Sequence, residues 1–511
     1  MDACCDVRQM WSGSSEYDAY HQSENCPLTK DQSTHCQRSS CLWRFRIFTG
    51  CLAVMCLVMI AYLIYLHSLL GSYKDILDHG AVAADNVNCS RVGTDILKDG
   101  GNAVDAAVGA MLCMTVIAPY KTGLGGGGIA IAYDAGDESE PLVVDFATNT
   151  ISGALATAKI RIPSVARGLE TLHKLKGILP WSKIVEPAEN LAKDGFVITE
   201  QFFEEVSRVN DHGTLFGYLE PGEILTQPHL GETLEVIRSH GSQSLYNGSL
   251  ADKFMRDEFH EAHEHLLPAL ADYEALQGKA RKFHFYDHTI YGPEHGNVLQ
   301  TVLDKVQHLG ISAEDGASFE SQLEVARALV EMNVTDYHIE QERYTTVIAV
   351  DANRNFVSIV TGLSAPLGLG HKTGAGFLLD GLGGVSENNL QDLTPIIFHS
   401  TKSPVEYSGA LGVDDPILAT EILSNIILRK LNLSIAIETQ RYYRLPEGIL
   451  MEPSGKYPLD GSLSIEISNL IPGSSTDIAH YVKSVNAVVK QGHSLSSHSD
   501  SRGGGLASRY K

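Results

Sequence analysis

Two adjacent threonines head an apolar run in the stretch ERYTTVIAVDANRNFVS, residues 342–358. A hydroxyl at the start of a strand becomes a nucleophile when a neighbouring base takes its proton, and a chain cut just ahead of it frees an α-amine for that role. Thr345 and Thr346 are therefore candidate catalytic residues. A reading without chemistry competes with this one, because β-branched side chains suit a strand entrance on packing grounds alone. Residues 347–350 are apolar, Asp351-Ala352-Asn353-Arg354-Asn355 is rich in turn formers, and Phe356 and Val357 resume the apolar pattern. That is the signature of a strand and its hairpin partner.

Other residue types that could do chemistry are less suggestive. Glycines 125–128 precede a strand in the order helix, loop, glycines, strand. A dinucleotide fingerprint needs strand, glycine loop, helix, and a phosphate loop ends in Gly-Lys-Ser/Thr. The run is instead expected to permit close backbone packing near a site or a neighbouring strand. The spacing of His, Cys, Asp and Glu suggests no metal set, and His260, His263 and His265 read as a solvated helix face. No metal or cofactor is expected. Against 39 Lys+Arg stand 62 Asp+Glu, a net charge of −23, which argues against nucleic acid as a partner.

The elements that must position the threonines begin beyond a long apolar stretch. Residues 47–70, IFTGCLAVMCLVMIAYLIYLHSLL, contain no Lys, Arg, Asp or Glu. At ~1.5 Å per residue they are long enough to cross a bilayer as one helix. Arg38, Arg44 and Arg46 lie upstream, whereas Lys74, Asp75, Asp78 and Asp85 follow. The positive-inside rule then places the N-terminus in the cytosol and residues 71–511 outside or in the lumen, a type II arrangement with the plasma membrane as the expected location. Residues 1–46, polar and without helical or strand period, are expected to be a disordered cytosolic tail. Cys41, Cys51 and Cys56 are candidate palmitoylation sites. The sequons at Asn88, Asn247, Asn333 and Asn432 all lie beyond the apolar stretch, as glycosylation would require. Cys89 and Cys113 are the two cysteines of this region, and an oxidising compartment would join them; two buried thiols are the alternative.

Beyond the stalk, Val104, Ala107, Val108, Met111 and Leu112 recur at helical spacing between Gly100-Gly101 and Pro119. GGGGIAIAYD and PLVVDFA read as hairpin partners. Residues 164–330 read as mostly helical, strands return from 344 to 412, and PILATEILSNIILRKL is a further helix. The order suits a layered α+β fold.

The segments ILKDGGNAVDAAVGAMLC and TGLGGGGIAIAYD resemble the N-terminal signature of the γ-glutamyltransferases, or glutathione hydrolases. RIPSVARGLETLHKLKGILPWSKIVEPAENLAKDGFVI resembles the family's Val-Pro-Gly segment with its Leu-Pro-Trp and Pro-Ala continuation, and SDSRGGG its Asp-Ser-Arg ending. The resemblance runs in order from about residue 76 to the end. It implies the N-terminal nucleophile hydrolase architecture, a four-layer αββα sandwich, here preceded by one transmembrane helix. It also implies a large-subunit part to about residue 343 and a small-subunit part over 344–511. In the family a self-cleaved chain exposes a threonine that attacks the γ-glutamyl amide of glutathione, and Cys89 and Cys113 sit where animal members carry a disulfide.

The site positions depart from the family pattern. Ungapped alignment on VIAVDANRNFVS puts Tyr344 at the nucleophile, Thr345 next, and Thr346 where a His stands. A phenol with pKa ~10 is a poor substitute for that hydroxyl. A one-residue slip would turn Thr345 to the other face of the strand, and Thr346 would keep the face ~6.6 Å further along. The arginine that grips the substrate carboxylate maps to Ala147 or Thr148, and an asparagine to Ser364. The acidic pair maps to Gly384 and Val385, and the paired serines to Gln391 and Asp392. The oxyanion segment becomes Gly409-Ala410-Leu411-Gly412-Val413, leaving Gly409 and Gly412 as candidate backbone donors. The expectation is a membrane-anchored member of the family with impaired catalysis, serving as a binding or regulatory protein for an unidentified protein partner. The rival is an active glutathione hydrolase using Thr345 or Thr346 on glutathione or another γ-glutamyl compound.

Overall fold

The computed structural model describes residues 37–74, 79–137, 139–147, 161–208, 215–248, 250–252, 267–268, 270–312, 314–332, 344–381, 393–404, 407–445, 448–453, 456–471 and 483–510. The chain divides into two compact units, Met1–Lys74 and Asp75–Lys511.

In the first unit, one 38-residue helix runs Gln37–Lys74. Its segment Arg46–Leu66 has a mean hydropathy of 2.6 over 21 residues, with its side chains exposed. At ~1.5 Å per residue this matches the ~30 Å hydrocarbon core of a bilayer. Among the described residues it is the one helix long and apolar enough to cross a membrane. The helix starts ten residues before the apolar stretch (47 − 37), inside the segment expected to be disordered. No Pro or Gly interrupts QRSSCLWRFR, so the change from polar to apolar is not a helix boundary. The rest of the expected tail, 1–36, lies outside the described residues.

The second unit is built on two antiparallel sheets. The seven-stranded sheet has the order Ser508–Tyr510, Gly80–Ala84, Tyr344–Val350, Phe356–Gly362, Gly127–Tyr133, Leu142–Asp145, Leu276–Lys279. The six-stranded sheet has the order Ser494–Ser499, Asn486–Gln491, Tyr407–Val413, Thr394–Ser400, His288–Gly292, Arg281–Phe285. Side-chain alternation defines the layers. Val347 and Ala349 join the core shared with the helices Val87–Lys98, Ala103–Ile117 and Trp181–Asp194, while Ile348 and Val350 join the core between the sheets. Ile396 and Phe398 likewise face the helices Asn297–Gln307, Phe319–Val330 and Pro416–Ile427, and Ile397 faces the other sheet. Strands buried on both faces must be apolar on both, which is why 347–350 reads as a continuous run. The result is the α+β, N-terminal nucleophile hydrolase-like αββα sandwich.

Helix Ala103–Ile117 shows how local sequence meets this architecture. Asn102 and Asp105 form a reciprocal capping box at its start, and every one of its residues is buried. It packs against neighbouring helices and strand Tyr344–Val350, so an apolar surface all round is what its position demands. The glycine run serves close approach. A side chain at Gly125 would run into the Leu378 carbonyl, at Gly126 into that of Gly362, and at Gly128 into that of Val360.

Among its described residues, the expected helical region 164–330 contains five strands, of which Phe196–Val197 and Ile224–Leu225 form a two-residue pair of their own. Leu276–Lys279 closes the first sheet, and Arg281–Phe285 and His288–Gly292 form a hairpin at the edge of the second. Phe283 and Phe285 alternate with Lys282 and His284, a period-two pattern short enough to be lost between helical segments. Tyr286, at φ 51°, supplies the left-handed residue of the tight turn.

Cys89 and Cys113 are joined, with Cα atoms 5.3 Å apart, tying helix Val87–Lys98 to helix Ala103–Ile117. Replacing both by Ser should lower the unfolding free energy by about 3 kcal/mol, the chain-entropy value for so short a loop. Urea titrations of wild type and variant, run without reductant, check this; coincident midpoints would show that the bridge adds nothing.

Candidate active site at the head of strand Tyr344–Val350

The strand delivers its first three side chains alternately. Tyr344 lies in the core between the sheets at 7% exposure. Thr345 points the other way, toward the helix layer, and is completely buried. Its Oγ1 donates to Asp85 Oδ2 at 2.8 Å. Asp85 follows strand Gly80–Ala84, whose Ala84 pairs with Val347, and this register brings the carboxylate beside the threonines. Its other oxygen, Oδ1, accepts from Asn486 Nδ2 at 2.6 Å and from Ser484 Oγ at 3.1 Å. Lys121 Nζ stands 4.0 Å from Oδ2. All these side chains are buried, so the carboxylate is compensated by hydrogen bonds and by the lysine rather than by water.

Thr346 returns to the face between the sheets. Asn486 Nδ2 donates to its Oγ1 at 2.8 Å and to its carbonyl at 3.1 Å. Gly412 of the facing sheet packs against it: a Cβ built there would lie 3.1 Å from Thr346 Cβ and 3.2 Å from Ser358 Oγ. Gly409 lies elsewhere. Three residues earlier on the same strand, ~10 Å away at ~3.3 Å per residue, it faces the helix side against Phe398. The two glycines thus do not converge on one point, and both sit in a strand paired on each side, where backbone N–H groups serve the ladder.

The positions mapped to substrate binding are only partly within the described residues. Ala147 is buried between the sheets. Ser364 lies just past Gly362, which pairs with Tyr344, and its backbone N–H donates to Asp380 Oδ1 at 2.8 Å, with its hydroxyl on the same oxygen. Arg161 Nη1 is 3.7 Å from Asp380 Oδ2, beyond hydrogen-bond reach. Burial pushes the Asp380 carboxyl up, against the opposing pull of Arg161 and Ser364. Alignment had left this end of the strand without charged anchors; the fold supplies one cation and one carboxylate there, directed at each other. The signal was not local, since Arg161 and Asp380 are 219 positions apart (380 − 161). Thr148, Gly384, Val385, Gln391, Asp392, the bond before Tyr344 and the three histidines 260, 263 and 265 lie outside the described residues.

The Asp-Ser-Arg ending is a buried ionic clasp. Arg441, fully buried, donates to Asp500 Oδ2 at 2.5 Å and to the carbonyls of Lys483 at 2.7 Å and Ile437 at 2.9 Å. Arg502 reaches Glu452 Oε2 at 2.6 Å and Asp500 Oδ1 at 3.1 Å. The glycines that follow close over the site: a side chain at Gly503 would approach Ser484 and Asp85, and one at Gly505 would strike the Ala84 carbonyl. Among the described residues no group of three or more His, Cys, Asp or Glu is placed to hold a metal ion.

Of the four sequon asparagines, Asn88, Asn247 and Asn432 are exposed, and Asn333 lies outside the described residues.

The family model for gamma-glutamyltranspeptidase matches residues 89–332. Glutathione hydrolase 2 of Arabidopsis thaliana is 34% identical over 228 residues, 40% of this chain and 39% of the plant protein. Human glutathione hydrolase 7 is 30% identical over 224 residues, 40% of this chain and 33% of the human protein. The chain thus spans between about a third and two fifths of the length of these curated relatives. Among solved structures, cephalosporin acylase from Bacillus halodurans has a TM-score of 0.68 at 17% identity, covering 85% of this chain and 96% of that one, a likeness of fold. Together with the αββα layers and the ordered motifs, these matches identify residues 89–332 as a γ-glutamyltransferase-family segment.

Proposed function

We propose that this family fold no longer assembles the family's threonine chemistry and that the protein acts as a membrane-anchored binding or regulatory protein. The observation that carries the reading is the direction of Thr345. Its hydroxyl is committed to Asp85 on the helix side of the sheet, opposite the face on which the aligned Tyr344 lies. A nucleophile must meet substrate and an oxyanion site together. Thr345 meets neither, and the glycine pair is split between two faces. On this reading the helix Gln37–Lys74 anchors the chain in the type II sense, with the folded unit outside the cytosol, at the plasma membrane. Its partner is then a protein that engages the folded unit.

One observation favours the second reading, an active glutathione hydrolase. Thr346 lies on the face between the sheets, beside Gly412 and under Asn486. Hydrolysis of glutathione or another γ-glutamyl compound would then run through Thr346.

Threonine-to-valine variants separate the two. Thr345→Val leaves the Asp85 carboxylate short of a donor and should cost ~1–3 kcal/mol of stability. Neither it nor Thr346→Val should change glutamate release from glutathione, which is expected at background in the wild type. Turnover that Thr346→Val abolishes would establish the enzyme reading.

A further inference from the structure

A cavity of about 510 Å³ opens on the outer face of the six-stranded sheet, away from the threonines. Its volume falls in the ~300–1,000 Å³ range of small-molecule sites. The floor is apolar and aromatic, with Tyr407 and Val489 from the sheet and Ile427 from the end of helix Pro416–Ile427. The His288 ring stands edge-on to Tyr407 at 5.5 Å, and its Nδ1 bonds Asp287 Oδ1 at 2.8 Å. Burial pushes His288 below its ordinary value and Tyr407 up to about 12, so both are uncharged at neutral pH. The rim is mostly neutral and polar, from Ser400, Gln491, Ser494 and Ser496, and its charges are one acid, Asp287, and one base, Lys430. An apolar floor ringed by hydroxyl and amide groups with balanced charge suits an uncharged polyhydroxylated ring, a saccharide.

The rim also carries Asn432. Its Oδ1 accepts from Ile435 N at 2.9 Å and from Ser434 Oγ at 3.1 Å, which fixes the side chain. Its Nδ2, the atom that N-glycosylation modifies, makes no hydrogen bond among the described residues. We propose that the cavity seats the first sugars of an N-linked glycan on Asn432, so that this glycan is packed as part of the fold. The inference rests on the non-cytosolic orientation proposed above.

The test uses the full chain made in a eukaryotic secretory host, with amidase release of glycans followed by glycopeptide mass spectrometry at Asn88, Asn247 and Asn432. Under native conditions release from Asn432 should be about tenfold slower than from the other two, because a packed glycan must first open. After denaturation the rates should coincide. Tyr407→Ala, which keeps the sequon, should leave Asn432 glycosylated and bring its native release up to that of the others. Equal native rates in the wild type, or a bare Asn432 beside a glycosylated Asn88 or Asn247, would overturn the inference while leaving the orientation standing. A chain without glycan at any of the three would overturn both.

Discussion

Replacing Asp500 by Ala should destabilise the protein by about 3–5 kcal/mol, the usual cost of stranding one member of a buried ion pair. The partner left behind is Arg441, completely buried. Burial alone would lower the pKa of its guanidinium, but Asp500 together with Tyr443 and Glu452 outweighs that effect and raises it. Asp500 also accepts from Val485 N at 3.2 Å and Arg502 N at 3.0 Å, so the clasp loses backbone anchors together with charge. Against a typical total of ~5–15 kcal/mol, the loss is large enough to depress folded yield. Denaturant unfolding of the full chain measures it. Adding Arg441→Met should recover part of the stability, because an apolar replacement removes the stranded charge. A cost below about 1 kcal/mol for Asp500→Ala would mean that the pair is solvated and the clasp weak.

The second large effect depends on pH. Glu421 lies in the nearly all-buried helix Pro416–Ile427, and burial pushes its carboxyl up to about 8. Arg441 and Arg502 oppose the rise, whereas Glu452 and Asp415 add to it. The folded state therefore holds a proton that the unfolded chain releases near ~4.3. A raised folded pKa stabilises fully below the unfolded value, and the contribution disappears as pH rises through about 8. Wild type should thus lose on the order of 3–5 kcal/mol relative to Glu421→Gln between pH ~5 and ~9, at ~1.4 kcal/mol per unit. Comparing the two proteins cancels the other titrating groups. Parallel stability–pH curves would contradict this, and would place the carboxyl in contact with water.

Local pattern carried much of the fold. The hairpin of Tyr344–Val350 and Phe356–Gly362 was visible because an apolar run met a turn-rich segment; Asp351 Oδ1 indeed caps that turn by accepting from Asn353 N at 2.9 Å and Asn355 N at 3.0 Å. The glycine run likewise announced close backbone approach. Helix Gln37–Lys74 was visible in type but not in extent, because composition changes at residue 47 and backbone propensity does not. The hairpin of Arg281–Phe285 and His288–Gly292 was hidden, since alternation over so few residues between helices gives a weak period.

The site was legible only on one side. Alternation along a strand already opposed Thr345 to Tyr344, and the structure places them on opposite faces. What no local pattern could give is the set of partners. Asp85 meets Thr345 across 260 positions, and Asn486 meets Thr346 across 140. Arg161 and Asp380 meet through main chain as well as side chain, Arg161 N donating to the Asp380 carbonyl at 3.0 Å. Glycines 409 and 412 looked like a pair in sequence, but an odd spacing in a strand sends them to opposite faces.

The central claim is most directly tested at the bond before Tyr344. Family self-cleavage needs a hydroxyl aimed at the preceding carbonyl, and here the first side chain is a phenol and the second donates to Asp85. The purified, deglycosylated full chain should run as one band on a denaturing gel, with no new N-terminus near residue 344. Two bands, the smaller beginning at Thr345 or Thr346, would contradict the account and show that the threonine chemistry is intact.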